Sequence, residues 1–262
     1  MFFTSVRQEF LATLMQPQLW ALLAWYDIKQ RYRRSVLGPF WLTISTAVLI
    51  GTLGLLWSQL FKVNLHEYMP HFAAGNVIWG FIAMQLGEAS TGFTQFENLI
   101  KQRRLPYPSY ILRLLARSFI IFLHNFIIVV IVVSFIGDGW SLVSLIAIPG
   151  LFLLSLVVYF VSISCAVLCT RYRDMVPVVQ NIVTVGYFLT PIMWQTKTLP
   201  EQHQWVALWN PVAHILDIAR APLLGQVPTL LNWTVSLGAL VVTAVMAFAL
   251  LGRARNRIAY WI

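Results

Sequence analysis

The chain has 262 residues, of which 59% are hydrophobic and only 10% are charged, and its mean hydropathy is +0.73. A soluble domain of this composition would lack the polar surface that water must wet, so the composition indicates an integral membrane protein. The formal net charge of +9 does not indicate nucleic-acid binding, because the basic residues flank long apolar tracts.

Six charge-free tracts run along the chain, each near or above the length of about 20 residues that one helix needs to cross hydrocarbon. We therefore expect an all-α fold with six transmembrane helices, at about 38–61, 71–92, 110–136, 147–170, 175–195 and 229–252. Pro191 lies inside the fifth of these spans, where it predicts a kink.

The Lys and Arg residues alternate between the segments that connect these spans. One alternate set of segments, which includes both termini, holds fifteen of them, and the other set holds only three, Lys62, Lys197 and Arg220. This asymmetry predicts that both termini are cytoplasmic, because basic segments stay on that side of the membrane.

Residues 17–34 are too short and too basic to cross a membrane. Leu19, Leu22, Leu23 and Tyr26 cluster on one side of a helix, and the charges gather at its end. The pattern predicts an amphipathic helix on the cytoplasmic membrane surface. The same residues also suit a basic flank that merely orients the first span.

Residues 93–108 form the only sizeable cytoplasmic connection in this scheme. Helix-forming residues continue to Arg104, and Pro106 and Pro108 then stop the helix. Such a short helix, held away from the bilayer, suits the docking of another protein. The alternative is a solvated loop that carries a run of charge.

The segment 197–226 is moderately apolar, but prolines and Gly225 interrupt it before any piece is long enough to span. Asn210 is expected to cap a helix that begins at Pro211, which gives two short re-entrant helices. Irregular backbone at membrane depth indicates a cavity or a gate, and the alternative is an interfacial plug. Asp217 and Arg220, three residues apart, resemble an ordinary surface ion pair.

Few ionisable residues fall inside the expected spans, and we expect Glu88 to pair with a basic residue at the cytoplasmic interface or to take part in gating. Arg113 and Arg117 are expected to extend to the headgroups. The sequence contains no Walker A motif and no zinc-protease or nucleophile-elbow motif. ATP would therefore have to be hydrolysed by a partner.

Several short motifs resemble those of type-2 ABC exporter permeases for polysaccharides and teichoic acids, and the likeness is closest to the O-antigen and capsule permeases. The first motif group comprises Asp27-Ile28-Lys29, Arg31-Tyr32-Arg33, Ser35, Leu37-Gly38 and Trp41. Further matches are Leu99-Ile100-Lys101, Pro106, Arg173-Asp174, Thr190-Pro191-Ile192, Asn210-Pro211, Arg220 and Leu224-Gly225. One departure is Leu105-Pro106-Tyr107-Pro108, where the family more often shows Phe-Pro and a basic residue.

The resemblance implies a single ABC-2 type transmembrane domain over 1–262, with an N-terminal region at 1–34 and a six-helix membrane domain at 35–262. It makes 17–34 the interface helix, with Asp27, Lys29, Arg31 and Arg33. It makes 94–104 the helix that couples to the ATPase, with Glu97, Asn98, Lys101, Arg103 and Arg104. It makes 198–225 the outer gate helices, with Trp205, Trp209, Asn210, Pro211, Asp217 and Arg220.

The resemblance also implies a homodimer in the bacterial inner membrane with two ATPase chains, which bind ATP and Mg, while this chain binds no cofactor or metal. The implied substrate is a polysaccharide on a polyprenyl-diphosphate lipid, exported to the periplasm. Sugar rings stack on aromatic rings, so the candidates for the channel are Trp41, Trp57, Tyr187, Phe188 and Trp194. Each of them has the alternative of facing lipid or packing on another helix.

Two other functions fit the same composition. An ABC-2 exporter of drugs or other lipids would share the architecture. A membrane-embedded glycan-modifying enzyme would need convergent acidic or histidine side chains at one membrane face. His66, Glu67 and His71 form the only such cluster outside the cytoplasmic face in the sequence.

Overall fold

The computed structural model describes residues 5–33, 35–38, 40–60, 62–103 and 105–262. Within these ranges the chain is helical and contains no β-strand. The α-helices are α1 (Val6–Met15), α2 (Ala21–Arg31), α3 (Phe40–Leu60), α4 (Leu65–Ser90), α5 (Glu97–Gln102), α6 (Tyr107–Phe135), α7 (Ala147–Arg171), α8 (Met175–Leu189), α9 (Trp205–Leu208), α10 (Pro211–Leu223), α11 (Leu230–Ala254) and α12 (Ile258–Trp261).

Four stretches of the described chain are long and apolar enough to cross a membrane by length and composition. They are Phe40–Leu60, Tyr107–Phe135, Leu142–Arg171 and Leu230–Ala254. The expectation of a helical integral membrane protein is therefore confirmed. The expected second and fifth spans correspond to α4, which is 26 residues long, and to α8, which has 15 residues and is thus only about 22 Å long.

Helix α4 is the centre of the bundle, and α3, α6, α7, α8 and α10 all pack against it. Small residues, Ala73, Ala74 and Gly75, allow these neighbours to approach closely, and Phe72 and Ile78 fill the space between them. By contrast, no residue of α8 is buried and few of α3 are. Both helices therefore hold to the core by one face and leave the rest of their surface uncovered.

A second core lies at the end of the bundle where α1, α5 and α12 pack on α6, α7 and α11. We call this end, where α2 also packs on α6, the basic end. Phe10 of α1 stacks on Phe248 of α11, with ring centroids 4.4 Å apart. The buried Glu9 carboxylate accepts a hydrogen bond from the backbone N–H of Tyr107 at 3.3 Å. No helix was expected at Val6–Met15, and the docking of α1 on α6 and α11 is a feature that only the structure shows.

The predicted kink at Pro191 is wrong, because α8 ends at Leu189 and Pro191 follows the helix. Thr190 is extended, with φ −90° and ψ 139°, as expected for a residue before proline. The Asn210 amide donates to the Leu189 carbonyl at 3.3 Å and to the Thr190 hydroxyl at 3.2 Å. This side chain satisfies part of the backbone that the helix end leaves open.

Candidate functional site

The aromatic candidates lie on or next to α3 and α8, but they differ in exposure. Trp41 and Phe188 are 59% and 61% exposed, and Trp57 is half-buried. Tyr187 is held against α4, since its hydroxyl donates to Asn76 Oδ1 at 3.0 Å. The Trp194 Nε1 donates to the Phe188 carbonyl at 3.0 Å.

The structure thus places these rings on or next to two helices with few or no buried residues. Tyr187 and Phe188 are in edge contact, with ring centroids 5.5 Å apart, and α3 and α8 both pack on α4. Exposed rings of this kind are available for contact with lipid, a sugar ring or another protein surface.

The segment after α8 contains the two short helices expected from the sequence, α9 and α10. Asn210 caps α10 by accepting the backbone N–H of Val212 at 2.9 Å, and Pro211 occupies the first turn. Trp205 is 58% exposed and Trp209 is 83% exposed. The prediction of a capped helix at Asn210-Pro211 is confirmed, and both tryptophans face away from the protomer's own core.

Arg220 is not part of an ordinary surface ion pair, which corrects the expectation from its spacing. The residue is only 4% exposed, and its Nε donates to Asp217 Oδ1 at 3.1 Å. Its Nη1 donates to the Pro191 carbonyl oxygen and lies 3.1 Å from His71 Nε2. Arg220 therefore joins α10, α4 and the turn after α8, because the fold places these three elements around one guanidinium.

A charge network at the basic end connects α2 to α4 and α6. Arg113 Nε donates to Asp27 Oδ2 at 2.7 Å, and Arg117 lies 2.7 Å from Glu88. Arg31 also reaches Glu88, at 3.4 Å. The expected ion pair of Glu88 is confirmed, whereas the expectation that Arg113 and Arg117 extend to headgroups is wrong. Partly buried carboxylates attract them inward instead, since a charge removed from water needs a partner.

Lys29 and Arg33, the other two basic residues expected in the interface helix, are exposed. They lie at the end of α2 and in the turn that follows it. Their exposure leaves them available to anionic headgroups at the membrane surface.

The segment expected to be the coupling helix consists of a short turn, Thr94–Phe96, followed by α5. Ile100 anchors it in the core, while Asn98, Lys101 and Arg103 are exposed. Lys101 Nζ lies 2.6 Å from Glu97 Oε1, and this contact lowers the pKa of the Glu97 carboxyl. Arg104 lies outside the described residues.

Arg113 also connects this segment to the network around Asp27, because its guanidinium lies over the Phe96 ring at 4.8 Å. A cation over an aromatic face is attracted by the electrons of the ring. One side chain of α6 therefore touches both α2 and the turn that precedes α5. Movement of α2 or of the turn before α5 would therefore displace Arg113 and change its contact with the other segment.

The His66, Glu67 and His71 cluster that an enzyme would need is occupied by contacts within the fold. His66 Nδ1 contacts the Ile136 carbonyl, Glu67 pairs with Lys197, and His71 lies against Arg220. Within the described ranges, no group of three or more His, Cys, Asp or Glu side chains is arranged to hold a metal ion.

Comparison with known proteins places the chain in a family. The family model described as "ABC-2 type transporter" matches residues 18–224. A Klebsiella pneumoniae protein named O-antigen export system permease protein RfbA is 22% identical over 191 residues, which cover 72% of this chain and 74% of that protein.

Two further relatives show a similar level of likeness. The polysialic acid transport protein KpsM of Escherichia coli is 23% identical over 198 residues, covering 74% of this chain and 76% of that protein. An RfbA protein of Myxococcus xanthus is 20% identical over 202 residues, with the same coverage of both chains. The resemblance noted in the sequence motifs is confirmed, and the chain belongs to the ABC-2 type transporter family.

Proposed function

We propose that this chain is the membrane-spanning permease subunit of an ATP-driven exporter, which moves a polysaccharide carried on polyprenyl diphosphate from the cytoplasm to the periplasm. The observation that carries the proposal is the match over about three-quarters of the chain to permeases named for O-antigen export and polysialic acid transport. Membership of the ABC-2 family by itself is also compatible with an exporter of drugs or other lipids, which is the alternative.

The proposed architecture has six crossings, with α4 and α8 added to the four long apolar stretches. Two copies of the chain enclose the path, and the uncovered faces of α3 and α8 line it. The exposed rings of Trp41 and Phe188 support this arrangement, because sugar rings stack on aromatic faces while water satisfies their hydroxyls.

The proposed energy source is a pair of ATPase subunits that hold ATP and Mg and receive α5. The sequence of this chain has no P-loop motif, and α5 presents exposed charged and amide side chains, which suit a polar docking surface. The contacts of Arg113 with Asp27 and Phe96 supply a route by which α2 and α5 would move together.

The proposed outer gate consists of α9 and α10. A path wide enough for a hydrated polysaccharide must be closed at rest, since it would otherwise leak ions. The exposed Trp205 and Trp209 side chains are suited to fill such a mouth against a second protomer.

Deletion of the gene tests the proposal in the bacterium that carries it. We expect surface polysaccharide to disappear and lipid-linked polymer to accumulate inside the cell, and a plasmid copy should restore export. Adding purified lipid-linked polymer to the permease and its ATPase should raise ATP hydrolysis. Unchanged surface polysaccharide together with new sensitivity to drugs would favour the alternative exporter.

A further inference from the structure

A large open cavity lies at the end of the bundle opposite to the basic end. Its volume is about 780 Å³, and it is bounded by α4, α10, α11 and the connections at 137–141 and 195–197. No residue of α3 or α8 lines it. Small-molecule sites typically measure roughly 300–1,000 Å³, so the cavity is large enough for an oligosaccharide unit.

The charges that line this cavity are largely neutralised in pairs. Arg220 is paired with Asp217, and Lys197 lies 2.7 Å from Glu67. His71 Nε2 lies 3.1 Å from Arg220 Nη1 and 3.3 Å from the Trp194 carbonyl oxygen, so this ring is held by groups of the fold. The remaining acidic lining residue is Asp138, which is exposed. A phosphate group would therefore find no unpaired Lys or Arg among the described lining residues.

The cavity also presents polar groups that are not used by the fold. Gln195 is only 8% exposed. Its side-chain amide makes no hydrogen bond to the described residues. Gln226 and Asp138 also line the cavity and are exposed. Because Gln195 lines the open cavity, its amide oxygen and nitrogen can bind hydroxyl groups of a ligand or ordered water.

An aromatic surface completes the lining. Trp140 is 45% exposed, and its Nε1 donates to Ser134 Oγ at 2.8 Å, which fixes the orientation of the indole ring. This combination of groups matches a sugar. The hydroxyls of a sugar form hydrogen bonds with amides and a carboxylate, and its C–H face packs on an aromatic ring. A purely apolar ligand would leave these polar groups unsatisfied.

We propose that this cavity is a saccharide-binding site within each protomer, which prefers a neutral sugar to a phosphorylated one. Gln195, Gln226 and Asp138 bind its hydroxyls, and Trp140 packs on its ring. That the sugar is a unit of the exported polymer rests on the proposed function. Because α10 forms one wall, a bound saccharide would contact the same helix that we assign to the outer gate.

Binding is measured on the purified chain by saturation-transfer NMR, in a detergent without a sugar headgroup. The probes are maltose, lactose and diacetylchitobiose, with glucose 1-phosphate and inorganic phosphate as comparators. We expect a neutral disaccharide to bind and phosphate not to bind. Gln195→Ala, Gln226→Ala and Asp138→Ala should each weaken binding about threefold to tenfold, the effect of one lost hydrogen bond.

Gln202→Ala is the matched control, because Gln202 is exposed at the same end of the bundle but does not line the cavity. Its affinity should equal that of the unaltered chain. Thermal unfolding checks that Gln195→Ala folds, and the two exposed variants test the site independently. Three results would overturn the inference: no disaccharide binds, binding survives all three cavity variants, or phosphate binds more tightly.

This test separates the inference from the proposed function. Loss of export on gene deletion, without saccharide binding at the cavity, would refute the inference and leave the permease proposal in place. Binding that depends on Gln195 and Asp138, with normal export in the deletion strain, would refute the permease proposal and leave the site in place.

Discussion

Individual side chains hold the helix ends in position. Arg220 is the clearest case, since one buried guanidinium contacts the Asp217 carboxylate, the Pro191 carbonyl and His71. Asn210 acts similarly on the end of α8. Both residues connect segments that are distant in sequence, so a single substitution there affects several elements at once.

Replacing Arg220 with Ala should lower the free energy of unfolding by about 2–3 kcal/mol. Loss of one partner of a fully buried pair costs about 3–5 kcal/mol, and the cost is smaller here because the Asp217 side chain is 31% exposed. The loss is measured as a lower melting temperature in detergent. Arg220→Lys, which keeps the charge, should lose less, and equal melting of Arg220→Ala and the unaltered chain would disprove this role.

Gly150 allows α7 to lie directly against α10. A Cβ atom at this position would overlap the Ile218 carbonyl oxygen and lie 2.7 Å from its carbon and 3.1 Å from Ala219 N. Gly150→Ala should therefore destabilise the protein by about 1–3 kcal/mol, the usual cost of overpacking, as measured by thermal unfolding in detergent.

Gly54→Ala is the control for this prediction. A Cβ atom at Gly54 would meet the flexible side chain of Met69 rather than backbone, and Met69 can move aside. We expect a smaller loss of stability. If Gly150→Ala and Gly54→Ala have the same melting temperature, backbone contact at Gly150 does not limit the approach of α7 and α10.

At the scale of elements, the short helices of the basic end are tied to the membrane helices by polar contacts. Helix α1 is held through Glu9, and α2 is held through Asp27. Burial raises the pKa of the Glu9 carboxyl above its ordinary value of 4.5, although the Tyr107 N–H and Arg255 partly oppose this shift.

The stability contributed by Glu9 should decrease as the pH rises, because a raised pKa means that the folded state binds the proton more tightly. The stabilisation from the protonated Glu9 carboxyl is fully present below its pKa in the unfolded chain. It is lost as the pH rises through the pKa of Glu9 in the folded protein. The Glu9→Gln variant has a neutral side chain at every pH and serves as the reference. Its melting temperature should rise relative to that of the unaltered chain between about pH 4 and about pH 8. A constant difference would show that Glu9 does not titrate in this range.

Charge reversal at Lys101 and Arg103 tests the coupling surface of α5. Both side chains are exposed, so the double change to Glu should leave the fold intact. It should weaken association with the ATPase by about tenfold or more, since charge reversal replaces attraction across an interface with repulsion between like charges. Co-purification from membranes measures the association. Lys62→Glu serves as the control, because Lys62 is exposed and lies outside α5. Normal assembly and export in the double variant would exclude docking at α5.

At the scale of the whole molecule, the outer surface of the bundle is strongly apolar. On α11, Leu237, Val241, Val242 and Val245 are each at least half exposed. Such a surface suits lipid or another subunit, and it agrees with the membrane family to which the chain belongs. Which ends of the spans face the cytoplasm rests on the distribution of basic residues.

Cysteine labelling of whole cells tests this orientation. Single cysteines at Gln102 and Asn256 should react with a membrane-impermeant reagent only after the membrane is opened, whereas one at Gln202 should react in intact cells. The two native cysteines, Cys165 and Cys169, are first replaced by Ser, and this variant alone should remain unlabelled. Protection of Gln202 in intact cells would contradict the six-span orientation.

The sequence by itself determined the features that depend on neighbouring residues. The cap at Asn210-Pro211 and the short helix α5 before Pro106 are local, because a few adjacent residues set the backbone angles. Membrane character and the family were also readable, since composition and short motifs carry them without any knowledge of packing.

Only the tertiary structure decided which charges are buried and what they contact. Glu9 meets Tyr107, Asp27 meets Arg113, and Arg220 meets the Pro191 carbonyl. Spacing made Arg220 resemble a surface residue and made Arg113 resemble a headgroup ligand, because periodicity reports one helix at a time. The pairing energy of a charge depends instead on the groups that distant segments place beside it and on the water that they exclude.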